Sequence, residues 1–260
     1  MAVPQIYTVS ETPEAELAQA ENVLFLGNAL GTDIHLWERA MPALSAHYSI
    51  VRFDMPGHGL SPVPTSSYTL EEVADAVVQA ADRLGVSTFD FAGVSVAGAV
   101  AQEIAHKYPE RIKHSVVVCS APYMGGPEGW SERIAQVTAA GTASLVPSLP
   151  ARWFSDDFIT KDPGAVKALL DMVAATDDAS YIKTCEALGG FDARAFLSEI
   201  RVPVLVISGE SDPGSPPAAG AIIAQTVPGA QQVIIPGASH MAVVEAPLEV
   251  AKAMTTFLSK

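Results

Sequence analysis

A predicted strand and a predicted helix are joined by the residues Gly93-Val94-Ser95-Val96-Ala97-Gly98. The apolar run 89–92 precedes them and a helical pattern over 100–108 follows, so Ser95 is expected at the apex of a sharp turn. Small residues on either side of the serine leave room for a strained backbone. A serine hydroxyl is a weak nucleophile, and acyl transfer needs it exposed beside a base and backbone N–H donors. The stretch therefore predicts a nucleophilic serine, although a turn with an incidental serine would show the same pattern.

Two later loops offer the partners that such a serine needs. A buried-strand pattern precedes the loop that contains Asp212, and a shorter strand pattern precedes the loop that contains His240. The order serine, acid, histidine is that of α/β-hydrolases, so it predicts Ser95, Asp212 and His240 as a catalytic triad. Glu210 shares a loop with Asp212 and is the alternative acid.

Length, composition and charge bound the class of protein. The 260 residues, 49% of them hydrophobic, suit one α/β domain with an insertion. Mean hydropathy is +0.26, yet no segment reaches the run of about 18 apolar residues that spans a bilayer. Fifteen basic against 29 acidic residues give a net charge of −14, which is the wrong sign for binding nucleic-acid phosphates. We expect a protein that acts on small molecules, and its oligomeric state stays open.

Localisation and cofactors are also constrained. The start of the chain lacks the basic and apolar regions of a secretory signal, which predicts a cytoplasmic location. Two cysteines do not suggest a disulfide framework. The six histidines show no paired metal-ligand spacing and there is no Cys-x-x-Cys, so neither a metal nor another cofactor is expected.

Strand-like runs alternate with helical patterns, which is typical of a mostly parallel sheet flanked by helices. A capping box of Thr69 and Glu72 predicts the start of an amphipathic helix that ends at Gly85. The predicted strands cover residues 4–9, 14–19, 22–26, 49–53, 88–92, 113–119, 204–208 and 232–235.

Between residues 122 and 198 the strand rhythm gives way to helical patterns. We interpret 122–198 as an inserted helical cap and 1–121 with 199–260 as the α/β core. The insertion falls at the carboxyl ends of the strands, where open α/β sheets bind ligands. The cap is therefore expected to cover Ser95 and to shape the substrate pocket.

A second candidate element is the loop Gly27-Asn28-Ala29-Leu30-Gly31-Thr32, which follows an early strand. α/β-Hydrolases take one oxyanion N–H from this loop and the other from the residue after the nucleophile. We assign Ala29 and Val96 to these donors. Losing one such donor typically lowers the rate by about 10² to 10³.

Several stretches resemble the 3-oxoadipate enol-lactone hydrolases. Residues 26–37 read Leu-Gly-Asn-Ala-Leu-Gly-Thr-Asp-Ile-His-Leu-Trp, similar to the Ser-Asn-Ser-Leu-Gly-Thr of that family. Further similar motifs are Arg52–Ser61, Tyr68–Glu71, Tyr108–Ile112, Arg152–Phe154 and Gly209–Pro213. The resemblance covers essentially the whole chain. It implies an α/β-hydrolase fold and a cofactor-independent serine hydrolase that opens 3-oxoadipate enol-lactone through an acyl-enzyme, in the β-ketoadipate pathway of aromatic catabolism.

Two positions depart from that family's pattern. Ala97 stands where the family usually has glycine, and Gly27 stands where it often has serine. We expect both to bear on substrate choice more than on catalysis.

The enol-lactone carries a free carboxylate, which requires a cation or several hydrogen-bond donors. The cap offers four candidate substrate-binding residues, Trp130, Arg133, Arg152 and Trp153. The alternative for the arginines is a surface ion pair with Glu132 or Asp156, and the alternative for the tryptophans is packing inside the cap.

Two other functions remain open at this point. One is a carboxylesterase or lactonase with a broader or different substrate. The other is a hydrolase-fold protein that binds a ligand without turning it over. Fold alone does not separate these possibilities.

Overall fold

One central sheet organises the computed structural model, which describes residues 3–260. Its order is β1-β3-β2-β4-β5-β6-β7, and β1 pairs antiparallel with β3 while the other neighbours run parallel. The strands are β1 (Thr8–Ser10), β2 (Val23–Gly27), β3 (Ser49–Phe53), β4 (Phe89–Val94), β5 (Ile112–Val118), β6 (Val204–Gly209) and β7 (Gln231–Ile235). The predicted α/β class with a mostly parallel sheet is confirmed.

Helices flank this sheet. They are α1 (Glu14–Leu17), α2 (Met41–Leu44), α3 (Leu70–Arg83), α4 (Val96–Lys107), α5 (Gly126–Ala140), α6 (Pro150–Trp153), α7 (Asp156–Lys161), α8 (Pro163–Ala175), α9 (Asp178–Gly190), α10 (Pro217–Thr226), α11 (Ala242–Glu245) and α12 (Pro247–Leu258). Short 3₁₀ helices cover Ile34–Trp37, Thr142–Leu145, Ala193–Ala195 and Leu197–Glu199. Among residues 3–260, no helix combines the length and apolarity needed to cross a membrane.

The prediction of a strand over residues 14–19 is wrong, because that stretch contains helix α1. Pro13 precedes the helix with φ −55°, Glu14 and Glu16 lie in its first turn, and only Leu17 is buried. Acidic side chains near a helix N-terminus interact favourably with the backbone dipole. The first strand is also shorter than predicted, since it begins at Thr8.

Helix α3 begins where the capping box predicted. The Thr69 hydroxyl accepts the Glu72 N–H at 3.1 Å, and the Glu72 carboxylate accepts the Thr69 N–H at 3.0 Å. The apolar face of α3 buries Val73 and Val77 completely. Local capping and amphipathic spacing therefore predict this helix, and burial of its apolar face stabilises it.

The central strands are buried on both faces. Every residue of β2, β4 and β6 is buried, as expected for parallel strands covered by helices on each side. Aromatic side chains fill the layer between sheet and helices, with the rings of Phe25 and Phe89 4.5 Å apart. The carboxyl ends of these strands are thus held at defined positions along one edge of the sheet.

Helices α5 to α9 fall between β5 and β6, inside the segment predicted as a cap, residues 122–198, which we call the cap segment. Helix α5 packs mainly on α9. Only Gly126 and Val137 of α5 are buried, so most of this helix remains accessible.

Candidate active site

Ser95 occupies a strained turn between β4 and α4. Its backbone has φ 55° and ψ −110°, a conformation that non-glycine residues rarely adopt. A Cβ at Gly93 would collide with the backbone of Ala97, so the turn can form only because position 93 is glycine. The Ser95 N–H donates to Val118 at 2.9 Å, and the Ser120 hydroxyl donates to the Ser95 carbonyl at 2.8 Å. These contacts hold the serine where the carboxyl end of β4 meets α4.

The two departures from the family pattern meet in space. A Cβ added to Gly27 would lie 2.6 Å from the Ala97 Cβ and 2.8 Å from the Phe53 ring. Real Cβ atoms essentially never approach other heavy atoms that closely. Gly27 therefore provides the room that the Ala97 methyl group takes up beneath the turn of Ser95.

Asp212 and His240 form a hydrogen-bonded pair at the ends of β6 and β7. Asp212 Oδ2 lies 2.8 Å from His240 Nδ1, and Asp212 Oδ1 accepts the N–H groups of Gly214 and Ser215 at 2.8 and 2.9 Å. Asp212 is 2% exposed, so its carboxylate is fixed by neighbours instead of water. With Nδ1 donating to this carboxylate, Nε2 carries the free lone pair of the imidazole.

The alternative acid, Glu210, has a different partner. Its carboxylate accepts the Gly237 N–H at 2.8 Å and lies at the surface. The structure therefore brings Asp212, and not Glu210, to His240.

A cavity of about 550 Å³ lies between the sheet edge and the cap segment. Ser95 and His240 both line it. Within residues 3–260, no hydrogen bond joins the Ser95 hydroxyl to His240. Such bonds in catalytic sites are often long in the free enzyme and tighten only in complex with substrate. The cavity thus presents a hydroxyl and an imidazole to the same space.

The two candidate oxyanion donors lie next to Ser95 along different elements. Ala29 lines the cavity, and Val96 is the first residue of α4, where an N–H lacks an intrahelical partner. Neither N–H has a hydrogen-bond acceptor among the described residues. The Thr32 hydroxyl donates to the Ala29 carbonyl at 2.8 Å, and Asn28 Nδ2 donates to the Phe53 carbonyl at 2.7 Å. These bonds hold the loop that presents the Ala29 N–H.

All four candidate substrate-binding residues of the cap segment line this cavity, namely Trp130, Arg133, Arg152 and Trp153. The Arg133 guanidinium lies 5.5 Å from the centre of the Trp130 ring. Within the described chain, neither arginine pairs with Glu132, Asp156 or another carboxylate. Trp153 is only 6% exposed. Its side chain is therefore packed inside the protein and also forms part of the cavity wall.

Sequence reasoning missed Tyr181, a residue of α9 that lies beside Arg133 and Arg152. Its hydroxyl is buried, and burial raises the pKa of Tyr181 to about 12, while the neighbouring Arg133 and Arg152 act to lower it. A tyrosine within a helical run carries no sequence signal for such a position. Only the packing of α9 under α5 reveals it.

Glu245 is a second residue that sequence reasoning missed. Its carboxylate accepts the Ser239 N–H at 2.7 Å and both the N–H and the hydroxyl of Ser155 at 3.0 and 2.6 Å. Ser239 precedes His240, and Ser155 belongs to the cap segment. Glu245 therefore ties the loop of the histidine to the cap.

Other reactive groups are poorly placed for chemistry. Burial raises the pKa of the Cys119 thiol to about 12, so this side chain stays a neutral thiol. No group of potential metal-binding side chains occurs among the described residues. His114 pairs with Asp90 at 2.8 Å in a groove at the amino ends of the strands, the opposite end of the sheet from Ser95.

Comparison with known proteins places this geometry in context. The model of the alpha/beta hydrolase fold family matches residues 22–247. The chain is 30% identical over 234 residues to 3-oxoadipate enol-lactonase 2 of Acinetobacter baylyi, covering 90% of this chain and 87% of the relative. It is 32% identical over 224 residues to 3-oxoadipate enol-lactonase 1 of the same organism, covering 86% and 84%.

A solved structure agrees with these relatives. The crystal structure of the enol-lactonase from Burkholderia xenovorans LB400 matches with a TM-score of 0.93 and 30% identity. The match covers 98% of this chain and 96% of that chain, so it includes the cap segment as well as the sheet.

Proposed function

Because the chain belongs to the α/β-hydrolase fold family and is a carboxylic ester hydrolase, we propose that it opens the lactone ring of 3-oxoadipate enol-lactone to give 3-oxoadipate. One observation carries the choice of substrate. Two arginines without carboxylate partners, Arg133 and Arg152, line the cavity that also contains Ser95, in a chain whose net charge is −14. Unpaired guanidinium groups in such a chain favour a substrate that carries a free carboxylate.

The proposed reaction begins with attack of Ser95 Oγ on the ring carbonyl, while His240 Nε2 takes the hydroxyl proton. The N–H groups of Ala29 and Val96 stabilise the resulting oxyanion. Asp212 holds the imidazole in position and stabilises its charged form. When the tetrahedral intermediate collapses, the ring C–O bond breaks and His240 returns the proton to the leaving enol oxygen.

Deacylation completes the cycle. His240 takes a proton from a water molecule, the hydroxide attacks the acyl carbonyl, and Ser95 departs with that proton. The product enol then tautomerises to the ketone, which is 3-oxoadipate.

Two lactones with the same ring, one carrying the carboxylate and one lacking it, test this proposal. The second is the neutral analogue in which a methyl group replaces the carboxymethyl group on the same ring. We expect kcat/KM to favour the anionic lactone by about 100-fold, the effect of one or two charge-assisted hydrogen bonds. Equal values for both lactones would refute the choice of substrate but not the serine mechanism.

Ser95→Ala tests the mechanism separately. Loss of the Ser95 hydroxyl is expected to lower kcat on the order of 10⁶-fold for both lactones, with the thermal unfolding temperature unchanged. Retained turnover would refute Ser95 as the nucleophile.

A carboxylesterase or lactonase with a broader substrate range is the second candidate. The cavity of about 550 Å³ favours it, because a single five-membered ring would leave much of that volume unfilled. A series of p-nitrophenyl esters measured beside the two lactones separates the candidates: higher kcat/KM for a neutral ester would support the broader enzyme.

A further inference from the structure

The chain crosses between the core and the cap segment twice, and the two crossings are paired. Tyr123 at the first crossing forms an antiparallel bridge with Asp192 at the second. The Ala193 N–H also donates to the Pro122 carbonyl at 2.8 Å. Residues that are about 70 positions apart in the sequence therefore share one junction.

Side chains strengthen this junction. The Arg194 guanidinium lies 4.1 Å from the centre of the Tyr123 ring, which is close stacking for a cation on an aromatic face. Arg194 Nε and Nη2 also donate to the two carboxylate oxygens of Asp192 at 2.8 and 2.6 Å. This bidentate pair fixes the plane of the guanidinium and so the ring that it covers. We call Tyr123, Asp192 and Arg194 the clasp.

The clasp reaches the active-site cavity through Tyr123. This side chain lines the cavity and is also 39% exposed, which places it where the cavity meets solvent. The backbone just after it turns sharply, with φ 69° at Gly126, and a Cβ there would lie 2.5 Å from the Tyr123 hydroxyl. The tyrosine therefore rests on a position whose backbone conformation and limited space both favour glycine.

The next residue extends the connection into the cap segment. The Met124 carbonyl accepts the Trp130 Nε1–H at 2.7 Å, and Trp130 lies under Arg133. Met124, Trp130 and Arg133 all line the cavity. A shift of Tyr123 would thus displace other residues along the same wall of the cavity.

We propose that Tyr123 is a specificity-determining residue that limits the size of the acyl group entering the cavity, and that Arg194 and Asp192 are positioning residues that hold its ring in place. The ring forms part of the wall at the cavity mouth, and a bulky rigid side chain at a mouth excludes large substrates by overlap. Arg194 and Asp192 act through Tyr123, because their side chains are half-exposed and belong to the clasp and not to the cavity lining.

This inference rests on Ser95 as the nucleophile of the proposed function, but not on the enol-lactone as substrate. Neutral p-nitrophenyl esters are therefore suitable probes, since they do not depend on Arg133 or Arg152. The quantity to measure is kcat/KM for p-nitrophenyl octanoate divided by that for p-nitrophenyl acetate.

We expect Tyr123→Ala to raise this ratio about tenfold, a modest steric discrimination for a pocket. Arg194→Ala should raise it about threefold, which corresponds to the loss of one exposed cation–π contact. Both changes should appear mainly in KM for the octanoate.

Two matched variants serve as controls. Tyr123→Phe keeps the ring and should keep the wild-type ratio. Arg201→Ala removes an exposed arginine that donates to the backbone carbonyls of Ser198 and Ile200, and it should also leave the ratio unchanged.

Each remaining outcome contradicts the proposal. An unchanged or lowered ratio in Tyr123→Ala shows that the ring does not restrict the mouth. A drop in thermal unfolding temperature with equal losses for both esters shows that the clasp is only structural. If Ser95→Ala still hydrolyses the acetate, the proposed nucleophile fails instead, which is a separate result.

Discussion

The cavity has two walls of different construction. On the sheet side, Ser95, Asp212 and His240 are 8%, 2% and 9% exposed, and backbone hydrogen bonds surround the carboxylate of Asp212. On the cap side, α5 carries its lining residues on a helix that is mostly exposed. The proposed catalytic groups therefore lie on buried strand ends, where their geometry is fixed, whereas the proposed substrate-binding groups of α5 lie on an accessible helix. Changes to the sheet side should alter the chemical step, and changes to the cap side should alter recognition.

Asp212→Asn should give the largest loss on the sheet side. An amide at this position changes the hydrogen bond to His240 Nδ1 and favours the wrong tautomer of the imidazole, so kcat should fall on the order of 10⁴-fold. KM should change little, and kcat for a neutral ester should fall as much as that for the lactone. A loss restricted to the anionic lactone would contradict the assignment of the chemical step to the sheet side and of recognition to the cap side.

Acid should weaken the sheet side through His58. Burial lowers the pKa of His58 from 6.5 to about 4, so its contribution to stability is complete above pH 6.5 and is lost as the pH falls towards 4. The full loss is roughly 3 kcal/mol. The contribution of Asp54 to stability changes with pH in the opposite direction. Burial raises the pKa of Asp54 to about 6, so its contribution is lost as the pH rises through that value.

Urea unfolding of the wild type and His58→Gln at pH 7 and pH 5 isolates the histidine, since Asp54 is common to both. The free energy of unfolding of the wild type should fall by roughly 2 kcal/mol more than that of the variant between these pH values. Parallel losses in the two proteins would show that His58 does not titrate in this way.

The double change Arg133→Met with Arg152→Met tests the cap side. Removal of both cations should raise KM for the anionic lactone about 100-fold, the loss of charge-assisted contacts, with kcat nearly constant. Hydrolysis of the neutral methyl analogue is the control and should be unaffected. A parallel loss for both lactones would mean that the arginines support the cavity and not the carboxylate.

The Gly27 and Ala97 pair tests how tightly the sheet side is packed. Gly27→Ser should lower the free energy of unfolding by about 2 kcal/mol, because the new Cβ collides with the Ala97 methyl group and the Phe53 ring. Ala97→Gly in the same chain should restore part of that loss, since only the contact with Phe53 remains. Additive effects in this double-mutant cycle would contradict the coupling of the two positions.

Glu245→Gln should have the smallest effect, because Glu245 connects the two walls without reaching the substrate. The amide loses one of the acceptors that bind Ser239 and Ser155, so kcat should fall about tenfold through misplacement of His240. Glu199→Gln changes an exposed carboxylate paired with His106 and should leave kcat unchanged. An equal, small effect of both variants would remove Glu245 from the positioning residues.

Most of the fold could be predicted from the sequence. Buried parallel strands appear as continuous apolar runs, and their carboxyl ends necessarily meet at one edge of the sheet. That is why the strand-end residues Ser95, Asp212 and His240 could be named before any contact was known. The error at residues 14–19 has a local cause, because Pro13 and the acidic first turn favour a helix.

Short-range patterns in the sequence were enough to predict most of the sheet, the order of the three candidate catalytic residues and the loop that presents Ala29. Three contacts became visible only in the folded chain: Gly27 makes room for Ala97, Glu245 binds Ser155, and Tyr123 stacks under Arg194. These contacts join residues about 70 to 90 positions apart, so no local pattern encodes them. They arise only when separate parts of the folded chain pack together, and packing depends on the shapes of both surfaces at once.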